Sequence, residues 1–186
     1  MMEKFEIQVI RSARKTISLQ VLKDGTVQVR APYFMTDAAV RQFIAQHREW
    51  IEKHVERVEQ RAAAAGPAFT GAELKAMAEE AKRFLPGLID TYAPRLGVYP
   101  TRITVRNQKT RWGSCSSKGS LNFNCLLAFA PEPVRRYVVI HELCHLKEMN
   151  HSPAFWKLVA SQMPDYQNAR KWLKTEGQRL IERLSR

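Results

Sequence analysis

The chain has 186 residues, 45% of them hydrophobic and 26% charged, the composition of a globular protein large enough to bury its own core. No apolar run approaches the roughly 20 residues that a membrane-spanning helix needs, and no repeat or long low-complexity tract appears. Its net charge of +12 favours anionic partners such as nucleic acid or nucleotides. The opening Met1-Met2-Glu3-Lys4-Phe5-Glu6 carries acids where a secretory signal would be basic and then apolar. Cys115, Cys125 and Cys144 form an odd set with no C-x-x-C pair, which reads as free thiols in a reducing compartment. The expected location is the cytoplasm.

In chain order, Phe5 to Val9, Lys15 to Val21 and Thr26 to Arg30 alternate apolar and polar residues, and Asp24-Gly25 is a hairpin turn between the last two. A small antiparallel meander is predicted. Thr36-Asp37 then offers a helix cap, and Val40, Phe43, Ile44, Trp50, Ile51, Val55 and Val58 recur at helical spacing up to about Ala65. His47 and His54 lie on that helix among charged residues and read as surface groups. Gly66-Pro67 followed by Thr70-Gly71 is the best internal boundary, dividing the chain into 1–66 and 67–186. A helix from about Ala72 to Leu96 follows, with Pro86-Gly87 set to kink or interrupt it. Thr101 to Gln108 and Ser120 to Cys125 read as strands on either side of a Lys118-Gly119 turn. Three further helices are predicted: about 131–149, Ser152 to Met163, and Tyr166 to Leu184. The fold class is α+β.

The chemistry concentrates in His141-Glu142-Leu143-Cys144-His145 and in His151 six residues on. On a helix, His141 and His145 are one turn apart, so both imidazoles leave the same face and can reach one metal ion. Glu142 stands beside that metal, where a carboxylate can take a proton from a bound water. His151 can join only if the helix breaks first. Asn150, which tolerates the left-handed conformation, and Pro153 supply the expected break. Cys144 between the ligands reads as a small buried filler. From Thr101 to Pro131 the chain carries Arg102, Arg106, Lys109, Arg111 and Lys118 and no acid, a stretch suited to contacting anions beside the site.

Arg111-Trp112-Gly113-Ser114-Cys115, then Asn122 and Asn124, then the run from His141 through Phe155-Trp156 resemble the YgjP-like metallopeptidases, which are similar to SprT-like and other zincin metalloproteases. The resemblance implies a zincin-like core, a small antiparallel sheet with helices around the H-E-x-x-H helix, behind an N-terminal meander and helix. It implies His141, His145 and His151 as ligands of one Zn2+ and Glu142 as general base. It further implies a sheet edge lining the cleft that can pair with an extended peptide or protein substrate.

The expected reaction is peptide-bond hydrolysis by a zinc-bound water that Glu142 activates. Arg111, Asn124 and Tyr166 are candidates for the donor to the oxyanion. The rival activity is that of a metal-dependent phosphohydrolase acting on nucleotides, a nucleoside triphosphate pyrophosphatase, with the basic stretch neutralising phosphates. A DNA-associated SprT-like protease would combine peptide hydrolysis with nucleic-acid binding.

Overall fold

The computed structural model describes residues 5–184. Two compact units divide the chain, one ending at Pro67 and the other starting at Ala68.

The first unit holds a three-stranded sheet of β1 (Ile7–Ser12), β2 (Ser18–Val21) and β3 (Val27–Pro32). β2 and β3 form the expected antiparallel hairpin, with Val21 opposite Val27. Gly25 takes the left-handed φ of 87° that its turn demands. The Asp24 carboxylate accepts from Thr26 N at 2.9 Å, a bond that lowers its pKa below the usual value. The sheet is not a meander, because its order is β1-β3-β2 and β1 runs parallel to β3. β3 carries Val27, Val29 and Ala31 on one face, all fully buried. A strand with that much apolar surface belongs in the centre, covered on both edges.

Thr36 caps α1 (Asp37–Gln46), its hydroxyl accepting from Ala39 N at 3.2 Å. The single long helix expected here is two, because His47 (φ −105°, ψ 12°) separates α1 from α2 (Arg48–Ala65). Val40 of α1 packs in a cluster with Val29 and Ala31, while Ile51 and Val55 of α2 cluster with Val27. His47 and His54 turn their Nδ1 atoms to the carbonyls of Phe43 and Trp50, at 2.8 and 2.7 Å.

The second unit begins with α3 (Gly71–Leu96), opened by a capping box. The Thr70 hydroxyl accepts from Glu73 N at 3.2 Å and the Glu73 carboxylate accepts from Thr70 N at 2.7 Å. The helix runs through Pro86-Gly87 without interruption. Both residues are exposed, and the buried stripe of Ala81, Leu85, Ile89, Tyr92 and Leu96 continues on either side of them. Tertiary packing therefore outweighs the bond that proline removes.

A second three-stranded sheet follows, of β4 (Arg102–Arg106), β5 (Gly113–Cys115) and β6 (Ser120–Asn124), in the order β4-β6-β5. It too is mixed rather than antiparallel: β4 is parallel to β6, and β5 antiparallel. Leu121 and Phe123 of the central strand are fully buried. After a short 3-10 helix (Cys125–Phe129) come α4 (Glu132–Cys144), α5 (Pro153–Gln162), α6 (Tyr166–Lys174) and α7 (Glu176–Leu184). The last two were expected as one helix. They part at Thr175, whose hydroxyl donates back to the carbonyls of Lys171 and Trp172, at 3.1 and 3.3 Å. The bend brings buried Gly177 against the Trp112 ring, so close that a Cβ on Gly177 would lie 3.0 Å from it. No helix among the described residues is long and apolar enough to cross a membrane.

Candidate metal centre

α4 is buried along most of its length: Tyr137, Val138, Val139, Ile140, Leu143 and Cys144 all belong to the main core. That burial fixes its rotation, so His141 and His145 leave one face as their spacing requires. The helix ends earlier than expected, at Cys144, with His145 as its C-cap. Leu146 N donates to Leu143 O at 3.1 Å and Lys147 N to Cys144 O at 3.0 Å, a tightened last turn. No described residue other than glycine has a positive φ, so Asn150 does not make the left-handed break. Ser152 then restarts the chain as α5, its hydroxyl accepting from Phe155 N at 3.3 Å. Between these two events His151 swings back over α4.

The three imidazoles converge. Nε2 of His141 lies 3.2 Å from Nε2 of His145 and 3.1 Å from Nε2 of His151, and the three donor atoms lie within 4.8 Å of one another. A tetrahedral ion about 2.0–2.1 Å from each nitrogen sets those nitrogens roughly 3.3–3.4 Å apart, so the donor set fits a divalent metal. The Glu148 carbonyl lies 3.0 Å from Nδ1 of His145. A carbonyl only accepts, so Nδ1 carries the proton and Nε2 presents its lone pair. The backbone of Glu148, not its carboxylate, thus orients this ring. Burial, then the neighbouring imidazoles, pulls His141 down to about 3. Burial also lowers His145, so both rings are neutral and available at neutral pH.

Phe155 is the residue that sequence reasoning left without a role. Fully buried, its ring packs within 4.9, 4.5 and 4.8 Å of the rings of His141, His145 and His151. Trp156 stacks on His151 at 5.6 Å. The Phe155-Trp156 pair behind a proline-started helix was the available signal, but only the fold aims it at the imidazoles. Tyr137 brings its hydroxyl to 3.2 Å from Nδ1 of His141.

Glu142 is 5% exposed, and its Oε2 has no hydrogen-bond partner. Burial pushes its carboxyl up to about 8, against a smaller lowering by Arg111. Against it lies Gly113 of β5, where a Cβ would fall 2.6 Å from Glu142 Oε1. Cys144 is buried, its thiol pushed up to about 12 by burial, and stands apart from the three-His cluster.

The remaining candidates separate. Arg111 lines the same cavity as the three histidines and Glu142, a space of about 260 Å³ that Cys115 also borders. Asn124 does not reach it. Fully buried, it donates both amide hydrogens, to the carbonyls of Gln108 and Arg111 at 2.7 Å each. Its Oδ1 accepts from Leu126 N at 3.1 Å. With no donor left it braces the loop before β5 and cannot serve an oxyanion. Asn124→Ala would strand these buried backbone groups and should cost about 2–4 kcal/mol of stability, read by urea denaturation; an unchanged midpoint would contradict the brace. Tyr166 is stacked between Trp156 (5.4 Å) and Tyr137 (6.2 Å) and does not line the cavity. Arg102, Arg106, Lys109 and Lys118 are exposed and do not line it either.

The chain is similar to several known proteins. The UTP pyrophosphatase of Escherichia coli (strain K12) is 35% identical over 69 residues, which cover 35% of this chain and 41% of that protein. The matched stretch thus spans less than half of that relative's length. Among solved structures, the metallopeptidase zymogen abylysin of Pyrococcus abyssi matches at a TM-score of 0.45 and 24% identity, over 50% of this chain and 95% of that one. The zymogen jannalysin of Methanocaldococcus jannaschii matches at 0.44 and 18%, with the same coverage. A family model described as YgjP-like, metallopeptidase domain, matches residues 15–76 and 72–176, and the chain belongs to that family of metal-dependent hydrolases.

Proposed function

We propose that this protein is a zinc-dependent metallopeptidase in which His141, His145 and His151 hold one zinc ion and Glu142 is the general base. The observation that carries the reading is the convergence of three imidazoles, with Nε2 of His141 3.2 and 3.1 Å from Nε2 of His145 and His151, beside a buried carboxylate whose Oε2 has no partner among the described residues. Zinc bound there polarises a carbonyl and acidifies water to a pKa of about 7. Glu142, its Oε2 unpartnered among the described residues, would accept a proton from water and return it to the departing amine nitrogen. Its own pKa near 8 belongs to the metal-free protein; a nearby dication favours the carboxylate form and brings it down. Arg111 is the donor best placed for the oxyanion, being the one guanidinium among the described residues that lines the cavity.

A peptide has a strand to pair with. Asn124 N donates to Trp112 O and Ser116 N to Ser120 O, both at 2.9 Å. By antiparallel alternation, the even-numbered residues of this stretch bond to β6, and the backbone groups of Gly113 and Cys115 face the open edge. An extended substrate laid along that edge would pair with the strand whose Gly113 packs against Glu142.

Tyr137 holds the outer nitrogen of His141. Tyr137→Phe should lower zinc affinity about 10–100-fold by removing that partner, measured by competition with a chelating dye; an unchanged affinity would show that the contact does not matter. His151→Ala should lower it further still, since it removes a ligand outright. The second reading is hydrolysis of nucleoside triphosphates, favoured by the Escherichia coli relative's name and by Arg111 in the cavity, which can pair with phosphate. Zinc-loaded protein tested on casein, denatured proteins and a panel of nucleoside triphosphates, with and without a chelator, separates the two. Chelator-sensitive cleavage of protein alone supports the first; of triphosphate alone, the second.

A further inference from the structure

The three histidine rings are not held alike. His141 has the Tyr137 hydroxyl 3.2 Å from its Nδ1, and His145 has the Glu148 carbonyl at 3.0 Å. Histidines that bind metal nearly always fix their orientation through such a partner. The Nδ1 of His151 has none among the described residues, where the ring's hydrogen-bond contact is from Nε2 to His141. His151 is also exposed, and it stands in the irregular segment between α4 and α5. What meets its ring instead is aromatic. Phe155 packs edge-on, and Trp156 lies nearly parallel to it, at 23° and 5.6 Å. Trp156 is in turn nearly parallel to Tyr166 of α6, at 14° and 5.4 Å. Tyr166 and Arg170 are one turn apart, so they leave the same face of α6, and the Arg170 guanidinium sits 4.3 Å from the centre of the Trp156 ring.

We propose that Tyr166 is a positioning residue for the third metal ligand: with Arg170 it holds Trp156 flat against His151, and this stack sets the His151 ring as hydrogen bonds set the other two. The proposal rests on the three-histidine reading of the metal centre. A ring already placed when the ion arrives loses little freedom on binding, whereas a free ring gives up part of the affinity to being ordered. Stacked aromatic pairs, and a cation over an indole, favour one arrangement of such rings. Tyr166 lines no part of the metal cavity, so it reaches the ion only through its neighbours. Of these, Tyr137 is buried on α4 and fixed by the core, while Trp156 is half-buried and packs at its margin. Loss of the Tyr166 ring is therefore felt at Trp156, and through it at His151.

The test uses the full-length protein, with zinc affinity read by competition against a chelating dye and folding verified by thermal melting of the metal-free form. Tyr166→Leu should weaken zinc binding about 10–100-fold, as loss of a group that orients a ligand does. Tyr166→Phe keeps the stacking ring and should stay within about threefold of wild type. In a His151→Ala background Tyr166→Leu should weaken zinc binding no further, because the ring it would misplace is gone. A residue that merely supported the fold would weaken binding in both backgrounds. NMR relaxation of the ring nitrogens in the metal-free wild type, which needs no variant, should find His151 as rigid as His141 and His145. A folded Tyr166→Leu protein with wild-type affinity, a Phe variant as weak as the Leu variant, an equal loss in the His151→Ala background, or a freely turning His151 ring would each overturn the role of Tyr166. A His151→Ala protein that binds zinc as tightly as wild type would instead overturn the three-histidine reading, and the proposal with it.

Discussion

Glu142→Gln is expected to remove hydrolysis while leaving the metal in place. The amide is nearly isosteric with the carboxylate, so the Gly113 contact survives and the three imidazoles keep their geometry. What it loses is the capacity to accept a proton. General-base catalysis is worth about 10²–10⁴-fold, and kcat should fall by that much with zinc stoichiometry unchanged. Full activity in a zinc-loaded Glu142→Gln protein would move the base elsewhere, and loss of zinc would make Glu142 a structural residue.

The same substitution has a signature in stability. In the metal-free protein burial holds the Glu142 carboxyl at about 8, against an ordinary 4.5. A raised acid binds its proton more tightly folded than unfolded. Its contribution to stability is therefore complete below pH 4.5 and is lost as pH rises through 8. Gln does not titrate, and the histidine contributions are common to both proteins. Between pH 4.5 and 8 the metal-free wild type should lose stability relative to Glu142→Gln by a few kcal/mol, at about 1.4 kcal/mol per pH unit. Urea denaturation of chelator-treated samples across that range measures the difference, and a flat difference would mean that the carboxyl is not buried as described.

The metal helix was legible in the sequence because its information is local. The spacing of His141 and His145 is a helical period, and the apolar run before it announces burial. The partners of these residues were not legible, since each depends on contacts distant in sequence. Asn124 reads as an alternating strand residue, yet its amide is spent on carbonyls 13 and 16 residues earlier. Tyr166 has the chemistry of an oxyanion donor, but the packing of α5 against α4 turns it into a stacked ring. The hairpin at Asp24-Gly25 was visible from its turn, whereas the parallel pairing of β1 with β3 has no local signal. Asn150 was a reasonable place for the helix to break, but the 3-10 tightening at Leu146 and Lys147 acts earlier. That turn places the Glu148 carbonyl on the His145 ring.

Gly113 was hidden for a further reason. A three-residue strand is too short for alternation to reveal, and a glycine advertises no chemistry. Its importance lies in the space it leaves. An added Cβ would sit 2.6 Å from Oε1, 2.7 Å from Cγ and 2.8 Å from Cδ of Glu142, separations that no carbon can keep. Glu142 is buried against this strand and α4 is packed around it, so neither side gives way freely. Gly113→Ala should therefore displace the carboxylate by something approaching an ångström, a misplacement that costs about 10²-fold in rate, with about 1–3 kcal/mol of overpacking. His141, His145 and His151 are not among the atoms it strikes, so zinc affinity should hold. Loss of kcat at constant zinc content is the expected result. Wild-type kcat in the folded, loaded variant would mean that Glu142 works from another position. Adding Glu142→Gln to Gly113→Ala should then lower the rate no further than Glu142→Gln alone, because a base already removed cannot be misplaced.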